Sequence, residues 1–456
     1  MALPPVAVAS PAKPTHVRHW VIVFAVTLAT VQYIDRVAIS QAMPEIGVDL
    51  GLSDGQKGMV FSAFTLAYAL FEIPTGWLGD KMGAKKVLIR VVLWWSFFTA
   101  ATGWAWNYVS MLVIRFLFGV GEAGCFPNLT RALSSWLPKR ERTRAQALMW
   151  MGARWGGAAA PLLVVIVMAF VNWRTAFYIF AVLGVVWTVI FYFWFRDTPR
   201  EHRSVNAAEL ELLKDNDLHE GGHSGMPWGK LVTSPTMWLL WAQYFCLSYG
   251  WYFYVTWLPT YLRDARGMDI KSNAVMGWLA GILEGSFSPD LSLKLLAAAL
   301  AGIPLFFGGF GSLVAGVISN RLITSGAPVS RVRRTFGILG FTGASALLMT
   351  SFYIKDPLLA MLSMGFASFF NDLTMPGSWS SCMDIGGKFA GTVSGSMNMM
   401  GNFGGMVGPL VVGLVLSFTN RDWHLAFAIS AVVYFMGAIC WLFIDPVTPL
   451  EQKKAH

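Results

Sequence analysis

Runs of about 20 apolar residues, parted by short polar breaks, recur from Trp20 almost to the end of the 456-residue chain. That is the length at which a helix crosses the hydrocarbon of a bilayer. The runs lack the apolar–polar alternation of a transmembrane strand, and only helices and closed barrels satisfy their backbone in lipid. The pattern predicts twelve helices, over 20–42, 57–79, 87–106, 108–131, 145–170, 174–195, 236–262, 293–319, 335–354, 358–381, 389–417 and 424–444. One break is long: Arg196 to Pro235 carries Asp197, Glu201, Glu209, Glu211, Lys214, Asp215 and Glu220, the composition of a water-exposed linker. It divides the chain into a tail (1–19), a first six-helix bundle (20–195), the linker (196–235), a second six-helix bundle (236–444) and a closing tail (445–456). The predicted fold class is an all-α membrane protein, twelve transmembrane helices in two pseudo-symmetric six-helix bundles. Parallel halves of this kind, each built from inverted three-helix repeats, hold a site near the midplane that faces the two sides in turn. The stretch 277–291 fits neither pattern. Its apolar piece, followed by Glu284 and Asp290, is too short to cross and too apolar for a plain loop, so it reads as a surface or re-entrant insertion.

Composition sharpens the class. With 55% hydrophobic and 13% charged residues, the chain is too apolar for a soluble domain of this length. A net charge of +9 suggests a nucleic-acid partner, but the excess lies in short loops. With the N-terminus cytoplasmic, Lys81, Lys85, Lys86, Lys139, Arg140, Arg142, Arg144, Arg331, Arg333 and Arg334 all fall on the cytoplasmic side. The opposite loops hold far fewer bases: Lys57, Arg174, Lys355, Arg421 and a cluster from Arg263 to Lys294. This asymmetry orients the chain with both termini cytoplasmic and removes the nucleic-acid reading. Cys125, Cys246, Cys382 and Cys440 lie inside apolar runs without metal-ligand spacing and read as small hydrophobes. No nucleophile–base pair, metal-ligand cluster or nucleotide loop is legible, so neither an enzyme, a metal nor a cofactor is expected. The long Pro/Ala-rich stretch to His19, with Asp35 and Arg36 inside the first run, does not read as a cleavable signal peptide.

The candidate chemistry lies in four charges. Asp35 and Arg36 sit deep in the first run, Arg115 and Glu122 in the fourth. A charge near the bilayer centre costs roughly 2.5–3.5 kcal/mol on insertion scales, so such groups face a cavity or a partner. Arg115, Gly119 and Glu122 are spaced i, i+4, i+7 and share one helix face. Gly119 thins that face and leaves room for a ligand or for the first helix. Asp35 and Arg36 point about 100° apart, so one faces the cavity and the other a neighbouring helix. Burial and a neighbouring guanidinium push a carboxyl's proton affinity in opposite directions, and two acids with two bases suggest proton-coupled handling of an anion. Histidine is nearly confined to tails and loops, so coupling rests on carboxylates. The plainer reading of each pair is a static tie between helices.

The loop after the second run, Gly76-Trp-Leu-Gly-Asp80-Lys81-Met-Gly83-Ala84-Lys85-Lys86, resembles the signature loop of the major facilitator superfamily. Ala84 stands where the family usually has a base. Gly316 to Arg321 is a degraded copy with Asn320 for the Asp, and Gly152-Ala-Arg154-Trp-Gly156-Gly157 with Pro161 resembles the family's Gly/Pro-rich fifth helix. Four further stretches resemble the anion:cation symporter branch, which includes galactonate, glucarate, hexuronate and phthalate transporters. They are Tyr33 to Arg36, Phe61 to Phe64 with Tyr68, Arg115 to Asn128, and Phe389 to Gly391 leading to Asn398 and Asn402.

The resemblance implies a transporter of the bacterial inner membrane, working as a monomer. Gly76, Asp80, Lys81 and Gly83 would form a conformational latch, and Arg36 and Arg115 would bind the acid group of a small organic anion. Asp35 and Glu122 then read as the proton sites, with sodium as the alternative ion. Arg154 is an extra buried cation. It suits a second acidic group on the substrate, or it pairs with Asp35 or Glu122. Glu72, just before Pro74, reads as a helix-packing polar group or a relay. The second half carries one span charge, Asp372; its Gln243, Ser378 and Asn398 suit a polyhydroxylated substrate body, and Tyr33 and Tyr68 lie beside the charges. A sugar acid is the leading substrate and an aromatic carboxylate the second. An organophosphate exchanger is disfavoured because the seventh run has no base before Arg263, and a transporter-like sensor because the linker is short and carries no docking motif.

Overall fold

The computed structural model describes residues 13–214, 226–264, 274–419 and 422–451, and among them every regular element is a helix. The first bundle comprises α1 (Val17–Asp49), α2 (Asp54–Met82), α3 (Ala84–Thr102), α4 (Tyr108–Glu122), α5 (Cys125–Trp136), α6 (Lys139–Phe170) and α7 (Trp173–Trp194). Two short helices follow, α8 (Ala207–Leu213) and α9 (Trp228–Thr233). The second bundle comprises α10 (Pro235–Asp264), α11 (Ala274–Glu284), α12 (Pro289–Thr324), α13 (Val329–Tyr353), α14 (Pro357–Gly386), α15 (Ala390–Phe418) and α16 (Trp423–Phe443). Nine helical stretches among the described residues are long and apolar enough to cross a membrane, and one of them, 358–418, holds α14 and α15 in tandem. With α3 and α10, which complete the two bundles, this makes the twelve-span architecture.

Most helices outrun the apolar runs that announce them. The 33 residues of α1 span about 50 Å at 1.5 Å per residue, against roughly 30 Å of hydrocarbon. Charged residues end a hydropathy window without ending a helix. Caps do end it: Ser53 with Gln56 and Asn107 with Ser110 form reciprocal capping boxes, and Asn172, Ser288, Asp356 and Asp422 each accept a first-turn N–H. The fourth run is split between α4 and α5 at Ala123–Gly124. Pro127 has no N–H to return to the Ala123 carbonyl, so the helical ladder breaks there.

Packing repeats between the halves. In the first, α1 packs on α6, α2 on α4 and α3 on α7; in the second, α10 packs on α15, α12 on α14 and α13 on α16. The bundles meet along α6–α12 and α2–α15. The second seam is tight because it is glycine on glycine. A Cβ on Gly76 would stand 2.4 Å from the carbonyl oxygen of Gly391, and one on Gly391 would stand 2.6 Å from that of Gly76.

One expectation about connections changes. Residues 196–214 of the linker are docked on the first bundle, not free in water. Asp197 accepts from the Lys85 N–H at 2.8 Å, and the Trp136 indole donates to the Arg196 carbonyl at 2.9 Å. Glu209 is fully buried; it takes hydrogen bonds from Thr15 Oγ1 at 2.6 Å and Arg18 Nη1 at 2.8 Å. Burial pushes the Asp197 carboxyl up. Burial works to raise Glu209 as well, but the bonds from Thr15 and Arg18 overcome it and leave that carboxyl below its usual range. Of 277–291, the part up to Glu284 lies in α11 at the surface, and α12 begins at Pro289. Leu279, Ala280 and Leu283 of α11 pack on Leu293, Leu296 and Leu300 of α12, while Val275, Trp278 and Ile282 stay exposed.

Candidate substrate site

A cavity of about 50 Å³ lies between the bundles. The first bundle lines it with Tyr33, Arg36, Tyr68, Phe126, Trp150 and Arg154, and the second with residues that include Tyr244, Trp251, Tyr252, Asn371, Asn398 and Asn402. Both arginines flank one ring. The guanidinium carbon of Arg36 is 5.5 Å, and that of Arg154 6.0 Å, from the Tyr33 centroid. Aromatic faces complete the cradle: Arg36 stacks on Tyr68 at 4.5 Å and Arg154 on Trp251 at 4.7 Å. Such faces stabilise a desolvated cation.

Each of these cations has its own carboxylate. Arg36 Nε donates to Glu122 Oε1 at 2.9 Å, its Nη2 lies 2.8 Å from the same atom, and Gln32 donates to that oxygen at 2.9 Å. Glu122 Oε2 has no partner among the described residues. Arg154 donates from Nε to Asp372 Oδ2 at 2.7 Å and from Nη2 to Asp372 Oδ1 at 2.8 Å, a two-pronged bond across the bundle interface. Its Nη1 donates to the Tyr33 hydroxyl at 3.1 Å. The expected partners Asp35 and Glu122 are therefore not the ones Arg154 takes; α6 turns it toward α14 instead.

The neighbours Asp35 and Arg36 diverge as their 100° offset requires. Arg36 enters the cavity, while Asp35 is buried against α3 and accepts from the Trp95 indole at 3.1 Å. Arg115 is buried but lies outside the cavity lining. Its guanidinium sits 4.2 Å from the Phe118 ring centroid and 5.2 Å from that of Phe64, and its Nε and Nη1 have no hydrogen-bond partner among the described residues. Gly119 serves neither ligand nor α1. A Cβ there would stand 2.5 Å from the Phe64 carbonyl oxygen, so the glycine admits α2.

Gln243 and Ser378 also lie outside the lining. Ser378 donates to the Gln243 side chain at 3.3 Å and the Trp441 indole does so at 3.2 Å, which locks both residues into the packing of the second bundle. Asn398 lines the cavity but is tied across it to Glu72, which also accepts from Asn402 at 3.2 Å. Glu72 is thus a second buried acid joining the bundles. Its only sequence signal is its charge inside an apolar run.

At one end of the seam, Asp80 of α2 caps α15. Its carboxylate accepts from the N–H groups of Gly391 at 3.0 Å and Thr392 at 2.6 Å, and from Thr392 Oγ1 at 2.6 Å. The first N–H groups of a helix lack partners within it and carry partial positive charge, so an acid from the other bundle is a favourable cap. Lys81 lies over Trp77 at 4.9 Å, and Gly83 turns the chain at φ +89°, a conformation suited to glycine. The same end carries Arg142–Asp384 at 2.6 Å and Arg333–Asp384 at 2.8 Å.

Comparison with known proteins places this geometry. Residues 25–409 match the model of the Major Facilitator Superfamily. The chain is 34% identical to a probable sulfoacetate transporter, SauU, of Cupriavidus necator, with 95% of each chain covered. It is 30% identical to a probable galactarate/D-glucarate transporter, GarP, of Escherichia coli, over 97% of this chain and 98% of that one. A crystal structure of the E. coli fucose:proton symporter FucP shares the fold, with a TM-score of 0.67 at 14% identity, over 93% of this chain and 98% of that chain.

Proposed function

This chain belongs to the major facilitator superfamily, and from that premise we propose that it imports a small organic dianion by proton symport through alternating access. It is an integral membrane transporter of small organic anions, not an enzyme. The observation that carries the finer reading is the Arg36–Glu122 pair, in which Arg36 lines the cavity and the buried Glu122 holds it from outside the lining: an anion-binding fork held by a group that can take up a proton. Protonation of Glu122 removes the charge that holds Arg36, and the freed Nε and Nη2 donate to an incoming carboxylate or sulfonate. The loaded bundles then rock, anion and proton leave on the other side, and Glu122 returns to Arg36. Asp35, which among the described residues accepts a hydrogen bond from Trp95 alone, is the second proton site. Arg115, close behind, keeps the potential positive. Arg154 meets the second acid group.

The relatives support a dianion: sulfoacetate, galactarate and glucarate, named for them, each carry two acidic groups. A cavity of about 50 Å³ holds a few waters' volume, which favours a short substrate of the sulfoacetate class. The amides of Asn371, Asn398 and Asn402 along one wall favour a hydroxylated aldarate as the second reading. The latch end is cytoplasmic, in a bacterial inner membrane, and the protein acts as a monomer.

The test is uptake of labelled sulfoacetate into proteoliposomes with an alkaline interior. Accumulation above the external concentration, abolished by a protonophore, is expected. Failure to take up sulfoacetate, galactarate and glucarate alike overturns the reading.

A further inference from the structure

We propose that Asp372 is a resident stand-in for the second acid group of the substrate: it holds Arg154 until a dianion replaces it, and that exchange breaks one of the ties between the bundles. The inference rests on the reading above that the cavity receives a dianion. The Arg154–Asp372 contact is a parallel two-point match of guanidinium to carboxylate, at 2.7 and 2.8 Å. It is the geometry a substrate carboxylate or sulfonate would adopt on the same fork. Arg154 lines the cavity whereas Asp372 is fully buried outside the lining, so a ligand entering the cavity meets a cation whose fork the protein's own acid already holds.

The surroundings also suit an acid that lets go. Asn371 already donates to Asp372 Oδ1 at 3.1 Å. Ser368, one helical turn earlier on α14, is fully buried and its Oγ has no hydrogen-bond partner among the described residues. Both Ser368 Oγ and Asp372 Oδ2 crowd the same spot beside Gly308 of α12, where a Cβ would stand 3.1 Å from the hydroxyl and 2.1 Å from the carboxylate. A released Asp372 therefore has an amide and an idle hydroxyl to receive it, in space that only glycine leaves open. Releasing it without such donors would strand a buried charge.

The device discriminates by charge count. A monoanion occupies Arg36 and leaves Arg154 on Asp372, so the bundles stay joined there. A dianion satisfies both cations and removes this one tie between α14 and α6. A ligand moves a conformational equilibrium only through such differential contacts. The tie at Arg142–Asp384 also joins the bundles, but it lies outside the cavity lining and no substrate acid reaches it there.

The experiment measures binding of sulfoacetate and of isethionate, its singly charged analogue, to purified protein by calorimetry. Asp372→Asn is expected to tighten sulfoacetate about tenfold and leave isethionate unchanged; Arg154→Gln is expected to weaken sulfoacetate about tenfold, again with isethionate unchanged. The reversed pair Arg154→Asp with Asp372→Arg keeps a tie between the bundles, so it should fold and still bind sulfoacetate no better than isethionate. Equal shifts for both probes, no shift, or normal dianion binding by the reversed pair would show a structural tie only and overturn the proposal. A wild-type protein that binds neither sulfoacetate nor an aldarate overturns the transport reading, and this proposal with it.

Discussion

Two guanidinium–carboxylate pairs flank the Tyr33 ring, and they differ in where the acid comes from. Arg36 and Glu122 belong to one bundle; Arg154 and Asp372 belong to two. A pair inside one rigid body travels with it, so a proton or an anion can be exchanged there without moving helices. A pair between bodies is a clamp whose strength is part of the conformational equilibrium. The contrast recurs away from the cavity, where Arg18–Glu209 ties the linker to its own bundle while Asp80 and Arg142 reach across to α15 and α14.

The largest effect expected of this comparison is on the inner pair. Arg36→Lys keeps the charge but loses the fork, and uptake should fall about 100-fold while the purified protein still elutes as a monodisperse peak. Retention of normal uptake would remove Arg36 from the site. Glu122→Gln comes next. Counterflow exchange should persist near wild-type rates while accumulation driven by the pH gradient disappears, and undiminished accumulation would exclude Glu122 as a coupling site. The third is a clamp. Asp80→Asn weakens the charged cap on α15, worth about 1 kcal/mol, and should open the latch end several-fold more often. This is read as faster alkylation of Thr143→Cys, whose position touches Ser380 across the seam at 3.0 Å.

The smallest effect belongs to the linker. Because hydrogen bonds from Thr15 and Arg18 outweigh burial and hold Glu209 below its usual value of 4.5, its contribution is present above that pH and is lost as pH falls through the folded-state value. Proteolysis of the 196–214 segment should therefore stay slow down to about pH 4.5 and then accelerate two- to threefold. Glu209→Gln should show the faster rate at neutral pH and no further acid step.

The spans were legible because hydropathy is a local property: twelve runs predicted twelve crossing elements, and errors fell at ends where capped helices outrun the apolar run and at the break between α4 and α5. The charged residues announced themselves by the cost of placing them in lipid. Their partners did not. Asp372 lies 218 positions from Arg154, and nothing in the spacing of either residue indicates which of several buried acids closes the pair. Gln243 and Ser378 carried a polar signal without a direction, and α10 and α14 turn them into packing. Gly119 carried the correct signal, close approach, but the approaching backbone is that of α2. The linker looked solvated because its acids are many, and among its described acids Glu209 is the buried one, marked out by Thr15 and Arg18, which reach it from 194 and 191 positions away in the chain.

Composition, run length and helical spacing by themselves determined the membrane class, the two six-helix halves and the presence of costly buried ions, since each depends on neighbours within a few turns of one helix. Only the tertiary structure decided that Arg36 enters the cavity while Arg115 stays outside its lining, and that Arg154 clasps the opposite bundle. Those outcomes depend on how α1, α6 and α14 rotate against one another, and that rotation is set by packing between segments the sequence leaves far apart.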